Sequence, residues 1–389
     1  MGALTGYKVL DFSTLLPGPF ATMTLADLGA EVIKISAPNR ADLVRDWPPV
    51  VEGTEVTGTQ AWLGRNKKTM QLNLKEPLSV EAVKRLVKDY DIVVEQFRPH
   101  VMERLGIGYE QLKKENPRII YCSITGYGQN GPYAEKAGHD INYVSRAGVA
   151  ASAGRKDSGP ALYNFQIADV AGGSMNAVIA ILAAIIYREK TGKGQYIDIS
   201  MEDCVVPFNS MDGAAYFAGG KVPAREEGFL NGGGIYDFYG TKDGGYMSVG
   251  SLEPKFFAAL CDTLGYPEWR DGKILKEDPE LVKRTFREKF LTKTRDEWTE
   301  IFKDRDACVE PVLSMKEASE DEHLKERGMW PQLEIPLSGG KKITEMGSPI
   351  RLSECPPEYR HAGYPEGYHT VEILTSLGYS EDDIKKMTN

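Results

Sequence analysis

Hydrophobic and polar residues alternate in blocks along the first part of the chain, and these blocks predict strands and helices in turn. An apolar run at Tyr7–Phe12 predicts a strand, the pattern of Phe20–Leu28 predicts a helix, and Glu31–Ile35 predicts a second strand. The prolines and glycine of residues 17–19 predict a turn before that helix. Repeated strand, helix, strand units are typical of a Rossmann-like open parallel sheet, so we assign the chain to the α/β class.

The same alternation continues further along the chain with short connections. The predicted elements are a helix over 79–88, a strand over 91–94, a helix over 108–115, a strand over 118–123, an apolar helix over 174–189 and a strand over 196–200. The apolar core of the 174–189 helix has about eleven residues, whereas a membrane-spanning helix needs roughly 20, so we expect a buried core helix. From Gly219 to Gly234 the composition becomes loop-like, which indicates a domain boundary.

Composition and charge exclude several classes of protein. The 389 residues are 41% hydrophobic and 26% charged, which is typical of a folded globular protein and not of a disordered one. The net charge of -9 argues against a protein that coats nucleic acid or anionic membranes. The five cysteines are scattered and form no CxxC pair, which favours neither a disulfide framework nor a zinc site. With no secretory pattern at the N-terminus, we expect a cytoplasmic protein.

The turn after the first predicted strand argues against a nicotinamide enzyme. A dinucleotide-binding fold carries GxGxxG at this point, because glycines let the pyrophosphate approach the backbone. This chain has Leu16-Pro17-Gly18-Pro19 instead.

Two residues stand where loops could hold a titratable group in place. His139 follows a glycine-containing loop, and Asp169 precedes the most hydrophobic helix. Each residue type also suits a helix cap, so the residues alone leave a capping role and a chemical role open for both. Burial at the mouth of a pocket would make the pKa of Asp169 tunable.

A third acid and a group of cations have the same two interpretations. Glu253 stands before Pro254, where an exposed glutamate that opens a helix is the ordinary case. The basic residues Arg65, Lys67, Lys68, Lys75, Arg98 and Arg104 could hold the phosphates of an acidic ligand, or they could be solvated loop charges.

Several segments resemble the class III CoA-transferase (CaiB/BaiF) superfamily, in the same order over nearly the whole chain. They are Tyr7–Asp11, Gly18-Pro19, Leu25–Lys34, Arg65–Lys68 and Phe97–Pro99. A second group looks most like the α-methylacyl-CoA racemases of that superfamily, and its members are Gly138–Tyr143, Asp169–Met175, Tyr246–Glu253 and Asp306–Leu313. We therefore identify the chain as a member of this superfamily.

The resemblance implies roles for the three candidate residues. Transferases use the residue equivalent to Asp169 as a nucleophile toward the thioester, whereas racemases use it as a base together with residues equivalent to His139 and Glu253. Inversion next to a thioester removes a proton from one face and returns one to the other, so it needs an acid/base group on each side. We expect backbone N–H groups near Asp169 to stabilise the enolate oxygen.

The resemblance also implies a site for CoA, which is part of the substrate, so that no separate cofactor and no metal are expected. The implied binding residues are Arg65, Lys68, Leu74, Lys75, Arg98, Arg104, Asp140 and Tyr143. Racemases often have an arginine over the adenine where this chain has Ala37, and Arg40 is the available substitute. The segment from Asp46 to Trp62 is longer than in compact racemases and resembles that of transferases.

At the level of the molecule, the resemblance implies an interlocked homodimer whose active site joins the large domain of one chain to the small domain of the other. It implies a discontinuous large domain of residues 1–200 and 330–389, a linker over 201–228 and a small α+β domain over 229–329. The expected partners are an acyl-CoA and a second copy of the chain, with no nucleic acid and no membrane. The expected activity is racemisation of 2-methylacyl-CoA thioesters, with CoA transfer through an Asp169 acyl-anhydride as the alternative.

Overall fold

The computed structural model describes all residues from Met1 to Asn389, and their contacts form two compact units. Unit 1 comprises Met1–Ala147, Phe165–Val206 and Glu322–Asn389, and unit 2 comprises Gly148–Asn164 and Pro207–Asp321. The division differs from the predicted one at three places: residues 148–164 belong to unit 2, the predicted linker is split after Val206, and residues 322–329 belong to unit 1.

The strands and helices have the following bounds. The strands are β1 (Lys8–Asp11), β2 (Glu31–Ser36), β3 (Lys67–Gln71), β4 (Ile92–Glu95), β5 (Ile120–Thr125), β6 (Gly154–Arg155), β7 (Gly159–Pro160), β8 (Gln195–Ser200), β9 (Asp237–Gly240), β10 (Tyr246–Val249), β11 (Val309–Pro311), β12 (Gln332–Glu334) and β13 (Lys342–Thr344). The α-helices are α1 (Pro17–Asp27), α2 (Gly58–Leu63), α3 (Pro77–Val87), α4 (Val101–Arg104), α5 (Tyr109–Glu115), α6 (Asp140–Arg146), α7 (Val149–Ser152), α8 (Met175–Thr191), α9 (Met201–Val205), α10 (Ser210–Gly219), α11 (Pro254–Leu264), α12 (Ile274–Glu277), α13 (Pro279–Phe290), α14 (Arg295–Phe302), α15 (Met315–Glu320), α16 (Glu322–Glu326), α17 (Thr370–Ser376) and α18 (Glu381–Thr388). A π-helix, Ile167–Ser174, runs directly into α8.

Unit 1 is built on a six-stranded sheet in the order β3-β2-β1-β4-β5-β8, and every neighbouring pair of strands is parallel. Successive residues of β1, Val9 and Leu10, are both fully buried, as expected for a parallel sheet covered on both faces. The chain reverses its direction of growth between β1 and β4, and such a switch point opens a crevice at the carboxyl ends of the strands. The predicted α/β class is therefore correct.

One layer of unit 1 is formed by α1, the π-helix and α8, which pack on one another, and α8 also packs on β5 and β8. The predicted turn at residues 17–19 is instead the first turn of α1. The segment can be helical because proline suits the first turn, where its missing N–H would have no partner in any case.

The C-terminal segment completes the other hydrophobic core of unit 1. Residues of α17 and α18, among them Leu374 and Met387, are buried with residues of β1 and α3 such as Leu10 and Val83. The two helices are separate, because α17 ends at Ser376 and α18 begins at Glu381. A capping box between Ser380 and Asp383 starts α18.

The π-helix and α8 together form one helix of 25 residues, Ile167–Thr191, which is longer than the predicted apolar helix. By length and composition alone it is the one helix of the chain that could cross a membrane, and 44% of its most apolar window is buried. A core helix that packs on a sheet meets the same criterion.

Unit 2 has an antiparallel sheet in the order β11-β10-β9 with its own aromatic core. Trp298 of α14 and Phe290 of α13 are fully buried there, and the Trp298 indole donates a hydrogen bond of 2.8 Å to the Phe290 carbonyl. Unit 2 therefore folds around a core of its own and presents Glu253 at the start of α11.

Candidate active site

A cleft with a volume of about 920 Å³ lies in unit 1 at the carboxyl ends of the parallel strands. Its walls include residues that follow five of the strands within three positions, namely Thr14, Ala37, Asn73, Gln96 and Met201, and also Thr125 at the end of β5. In open parallel sheets this edge is where ligands bind.

His139 and Asp169 both line this cleft, although 30 positions of sequence separate them. His139 is exposed at the start of α6, where its backbone N–H donates to the Asn142 side chain over 3.0 Å. Asp169 lies in the first turn of the π-helix and is half-buried. The fold thus brings an imidazole and a carboxyl group to one cavity.

The environment of Asp169 favours its protonated form. Burial, and then the negative charge of Asp140, raise the pKa of Asp169 to about 7. A carboxyl group that titrates near neutral pH can both accept and return a proton under ordinary conditions.

Asp140 has a structural role at this point. Its Oδ1 accepts hydrogen bonds from the backbone N–H groups of Ala168, over 2.6 Å, and of Asp169, over 3.0 Å. These groups would otherwise lack partners, because the first N–H groups of a helix have none within the helix. The expectation that N–H groups near Asp169 hold an enolate oxygen is therefore not supported at these two positions.

Tyr143 also lines the cleft, and its hydroxyl donates to the Gly138 carbonyl over 2.6 Å. Burial and the Asp169 carboxyl raise the pKa of the Tyr143 hydroxyl above its ordinary value. A β-carbon at Gly126 would lie 2.6 Å from the Tyr143 ring, so glycine there makes room for this side chain. Likewise, a β-carbon at Gly173 would lie 2.8 Å from the Met201 side chain. Glycine at these two positions therefore leaves room for neighbouring side chains.

Four of the residues implied for CoA line the cleft: Leu74, Lys75, Arg98 and Tyr143. Lys75 and Arg98 are exposed and bring positive charge to a chain that is acidic overall. A hydrogen bond holds the turn that carries Arg98, since the Glu95 carboxylate accepts the Phe97 N–H over 2.7 Å. Burial raises the pKa of Glu95 to about 7.

Arg40 lines the same cleft beside Ala37, and its guanidinium lies 5.9 Å from the centre of the Phe97 ring. This geometry places a cation over an aromatic face at the wall of the cavity. Arg40 therefore lies where it could replace the arginine that racemases often have at the position of Ala37.

Arg65 and Lys68 do not lie at the cleft, and their implied contact with CoA is not supported by the structure. Both stand at the amino end of β3, whereas Leu74 and Lys75 follow its carboxyl end. Arg65 is fully buried, with its guanidinium 2.6 Å from Asp27 and 3.5 Å from Glu345.

The other implied residues have different surroundings. The Lys68 ammonium lies 3.1 Å from the Glu372 carboxylate. Arg104 is exposed on α4 and is not among the residues that line the cleft. Asp140 is likewise absent from the lining, because its carboxylate is directed to the π-helix.

Glu253 belongs to unit 2, where it is exposed and immediately precedes α11. The cleft is lined only by residues of unit 1. His139 and Asp169 thus lie together in unit 1, whereas Glu253 belongs to unit 2.

Lys136 and Thr125 are among the cleft residues that the sequence analysis does not single out. Lys136 lines the cleft from the loop before His139, and its position between a predicted strand and a candidate site residue could have drawn attention to it. Thr125 lines the cleft with a buried hydroxyl group that has no hydrogen-bond partner. No signal in the sequence distinguishes this threonine from others in strands.

The CoA-transferase family III model matches residues 4–370. The chain belongs to the CoA-transferase family III. It is 35% identical to the α-methylacyl-CoA racemase of Homo sapiens over 392 residues, which cover 100% of this chain and 96% of the relative. It is also 35% identical to the succinyl-CoA:glutarate CoA-transferase of Homo sapiens over 382 residues, covering 96% of this chain and 86% of the relative.

A solved structure supports the same assignment. The CAIB/BAIF family protein from Brucella suis has a TM-score of 0.83 and 29% identity, and the match covers 97% of this chain and 99% of that one. The relatives of this family III chain include both a racemase and a CoA-transferase at similar identity.

Proposed function

We propose that the chain is a racemase or epimerase that inverts the α-carbon of 2-methylacyl-CoA thioesters by proton transfer through an enolate. The observation that carries the proposal is the presence of His139 and Asp169 in one cleft, with a pKa of Asp169 of about 7. A base removes the α-proton most effectively when its pKa lies near the working pH. The proton goes to one of these groups, and the other returns a proton to the opposite face of the planar enolate.

The enolate oxygen needs a hydrogen-bond donor to stabilise its charge. We assign this role to the backbone N–H of Asp140, the first residue of α6 beside His139. Helix geometry gives this N–H no partner within α6. The N–H groups of Ala168 and Asp169 are already engaged by the Asp140 side chain.

We assign the CoA moiety to the wall formed by Leu74, Lys75, Phe97 and Arg98. Exposed lysine and arginine suit the phosphates, and Arg40 over the Phe97 ring suits a planar base. No separate cofactor is required, since the thioester itself acidifies the α-proton.

We further propose a homodimer in which Glu253 reaches the cleft of the other chain. Exposed apolar side chains on α8 support this, since Ile179, Ile186 and Tyr187 are 63%, 58% and 46% exposed. A stripe of this kind on a folded unit is typical of an interaction surface.

A CoA-transferase is the second candidate, and the equal identity to a succinyl-CoA:glutarate CoA-transferase favours it. In that reaction the Asp169 carboxylate attacks the thioester carbonyl and displaces the CoA thiolate, which leaves an acyl-anhydride on Asp169. The thiolate then attacks the anhydride to give an enzyme thioester, and the released acid departs. The incoming acid displaces CoA from the enzyme by the same two steps in reverse.

Incubation of the protein with one enantiomer of a 2-methylacyl-CoA in deuterated water distinguishes the two candidates. A racemase incorporates deuterium at the α-carbon and inverts it, and His139→Ala should reduce the rate of inversion by at least about 10²-fold, because inversion needs an acid/base group on each face. Exposed His323→Ala is the matched control and should leave both rates unchanged.

Two results would contradict the racemase. The first is the absence of both deuterium incorporation and inversion for branched, aromatic and steroid acyl groups. The second is a hydroxylamine-trappable acyl group on Asp169, together with CoA exchange that survives His139→Ala. The second result would establish the transferase.

A further inference from the structure

Asp140 joins the two segments that carry the candidate acid/base groups. It follows His139 directly in the chain, and one oxygen of its carboxylate accepts the N–H groups of Ala168 and Asp169. The loop before α6 and the start of the π-helix are therefore held together by a single side chain. No other hydrogen bond from α6 to the Asp169 backbone is present.

Asp140 is also the charged group that affects Asp169. Four neighbouring elements, α1, α6, α8 and α9, pack against the π-helix, and β5 contacts it as well. From α6, Tyr143 faces Asp169 as a neutral phenol, since burial raises its pKa above the ordinary value. From α9, burial raises the pKa of the Cys204 thiol to about 11, so it is also neutral at pH 7.

Three of the remaining charged side chains of these elements are neutralised by partners, and Asp203 of α9 and Lys190 of α8 are exposed. Glu202 of α9 lies 3.1 Å from Arg146 of α6, Arg188 of α8 lies 3.0 Å from Asp91, and Asp27 of α1 is paired with Arg65. Cys122 of β5 is buried, which raises the pKa of its thiol and keeps it neutral. The carboxylate of Asp140 is the one charged group that acts on the pKa of Asp169, beside the effect of burial.

We propose that Asp140 is a positioning residue for the reaction: its carboxylate fixes the backbone of Asp169 relative to His139 and places a negative charge beside the Asp169 carboxyl group. The inference rests on the proposed function for the acid/base roles of the two residues it joins. Proton transfer depends on this geometry, because reacting atoms must be held about 3–3.5 Å apart.

Two substitutions separate the hydrogen bonds of Asp140 from its charge. Asp140→Asn keeps an oxygen that can accept both N–H groups and removes the charge, whereas Asp140→Ala removes both. Asp157→Asn, in the exposed turn between β6 and β7, removes a carboxylate of unit 2 and is the matched control.

The test combines ¹³C NMR titration of the Asp169 carboxyl group in the whole protein with the pH profile of α-deuterium exchange. Asp169→Asn assigns the resonance. We expect Asp140→Asn to move the Asp169 midpoint and the acidic limb of the profile to lower pH, because a neighbouring negative charge is gone. We expect Asp140→Ala to show this shift and also to lose exchange by roughly 10- to 100-fold, as displacement by about 1 Å can cost 10²-fold.

Unchanged midpoints and rates in both variants would overturn the inference, and so would an equal loss of rate in both with no shift of the midpoint. If Asp140→Ala does not fold, Asp140→Asn still decides the question. A shifted midpoint in a protein that exchanges no α-proton would refute the proposed racemase and leave the coupling intact. Exchange with an unmoved midpoint would refute the coupling alone.

Discussion

Asp169 is held in a state that lowers the stability of the folded chain at neutral and alkaline pH. Its pKa in the folded protein is about 7, above the ordinary 3.8 expected in the unfolded chain. The folded chain therefore binds the proton more tightly, and its stability falls as the pH rises from about 4 through about 7. A functional group with a shifted pKa often lowers the stability of a protein while it serves activity.

This linkage predicts that Asp169→Asn stabilises the protein while it abolishes activity. The variant removes a charge that is partly buried, so the gain in melting temperature over the wild type should be larger at pH 8 than at pH 5. Differential scanning calorimetry at the two pH values measures it. Asp157→Asn, the control, should change the melting temperature equally at pH 5 and pH 8. An equal gain in melting temperature for Asp169→Asn at the two pH values would contradict the assigned pKa.

Also at the residue scale, the sequence could indicate Asp169 and His139 only as residues with two open interpretations. The structure shows that the helix-capping role near Asp169 belongs to Asp140, through hydrogen bonds across 28 and 29 positions. Contacts of that sequence separation depend on how α6 packs against the π-helix, which no local pattern contains.

Among the elements, β3 explains why basic residues that are close in sequence differ in role. In a parallel sheet, residues before a strand lie at one edge and residues after it at the other. Arg65 and Lys68 lie at the amino end, and Lys75 follows the carboxyl end with the cleft. The direction of β3 therefore separates Arg65 and Lys68 from Lys75.

The two basic residues at the amino end of β3 should differ in their effect on stability. Arg65→Met leaves the buried Asp27 and Glu345 without their cation and should lower the free energy of unfolding by about 3–5 kcal/mol. Lys68→Met removes an ion pair whose side chains are 42% and 64% exposed, and it should cost less than about 1 kcal/mol. Urea denaturation of both variants tests this, and equal losses would contradict the assignment of Arg65 to the core.

The start of α1 could not be predicted from the composition of the segment. Pro17-Gly18-Pro19 has the composition of a turn, yet it opens α1, because the first turn of a helix tolerates proline. The parallel strands were predictable, since buried strands give continuous apolar runs. The π-helical geometry at Ile167–Ser174 has no such signature, and its wide turns depend on packing against α1 and α9.

For the whole molecule, the proposed homodimer predicts a mass in solution of twice the 43.1 kDa of one chain. Light scattering after size exclusion measures it. Ile186→Lys places a charge on the exposed apolar side of α8 and should shift the population toward monomer, whereas Lys190→Gln, on the same helix, should not. A wild-type mass of 43.1 kDa at micromolar concentration would contradict the dimer.

Unit 1 combines segments from both ends of the chain, and this affects its folding during translation. Its core includes Leu374 and Met387 from the last two helices, together with Leu10 of β1. A ribosome adds about 5–20 residues per second, so the early strands wait roughly 20–80 seconds for the helices that cover them. Unit 2 is complete before that point. The core that α17 and α18 complete is therefore unfinished for most of translation, and its apolar side chains stay open to non-native contacts during that time.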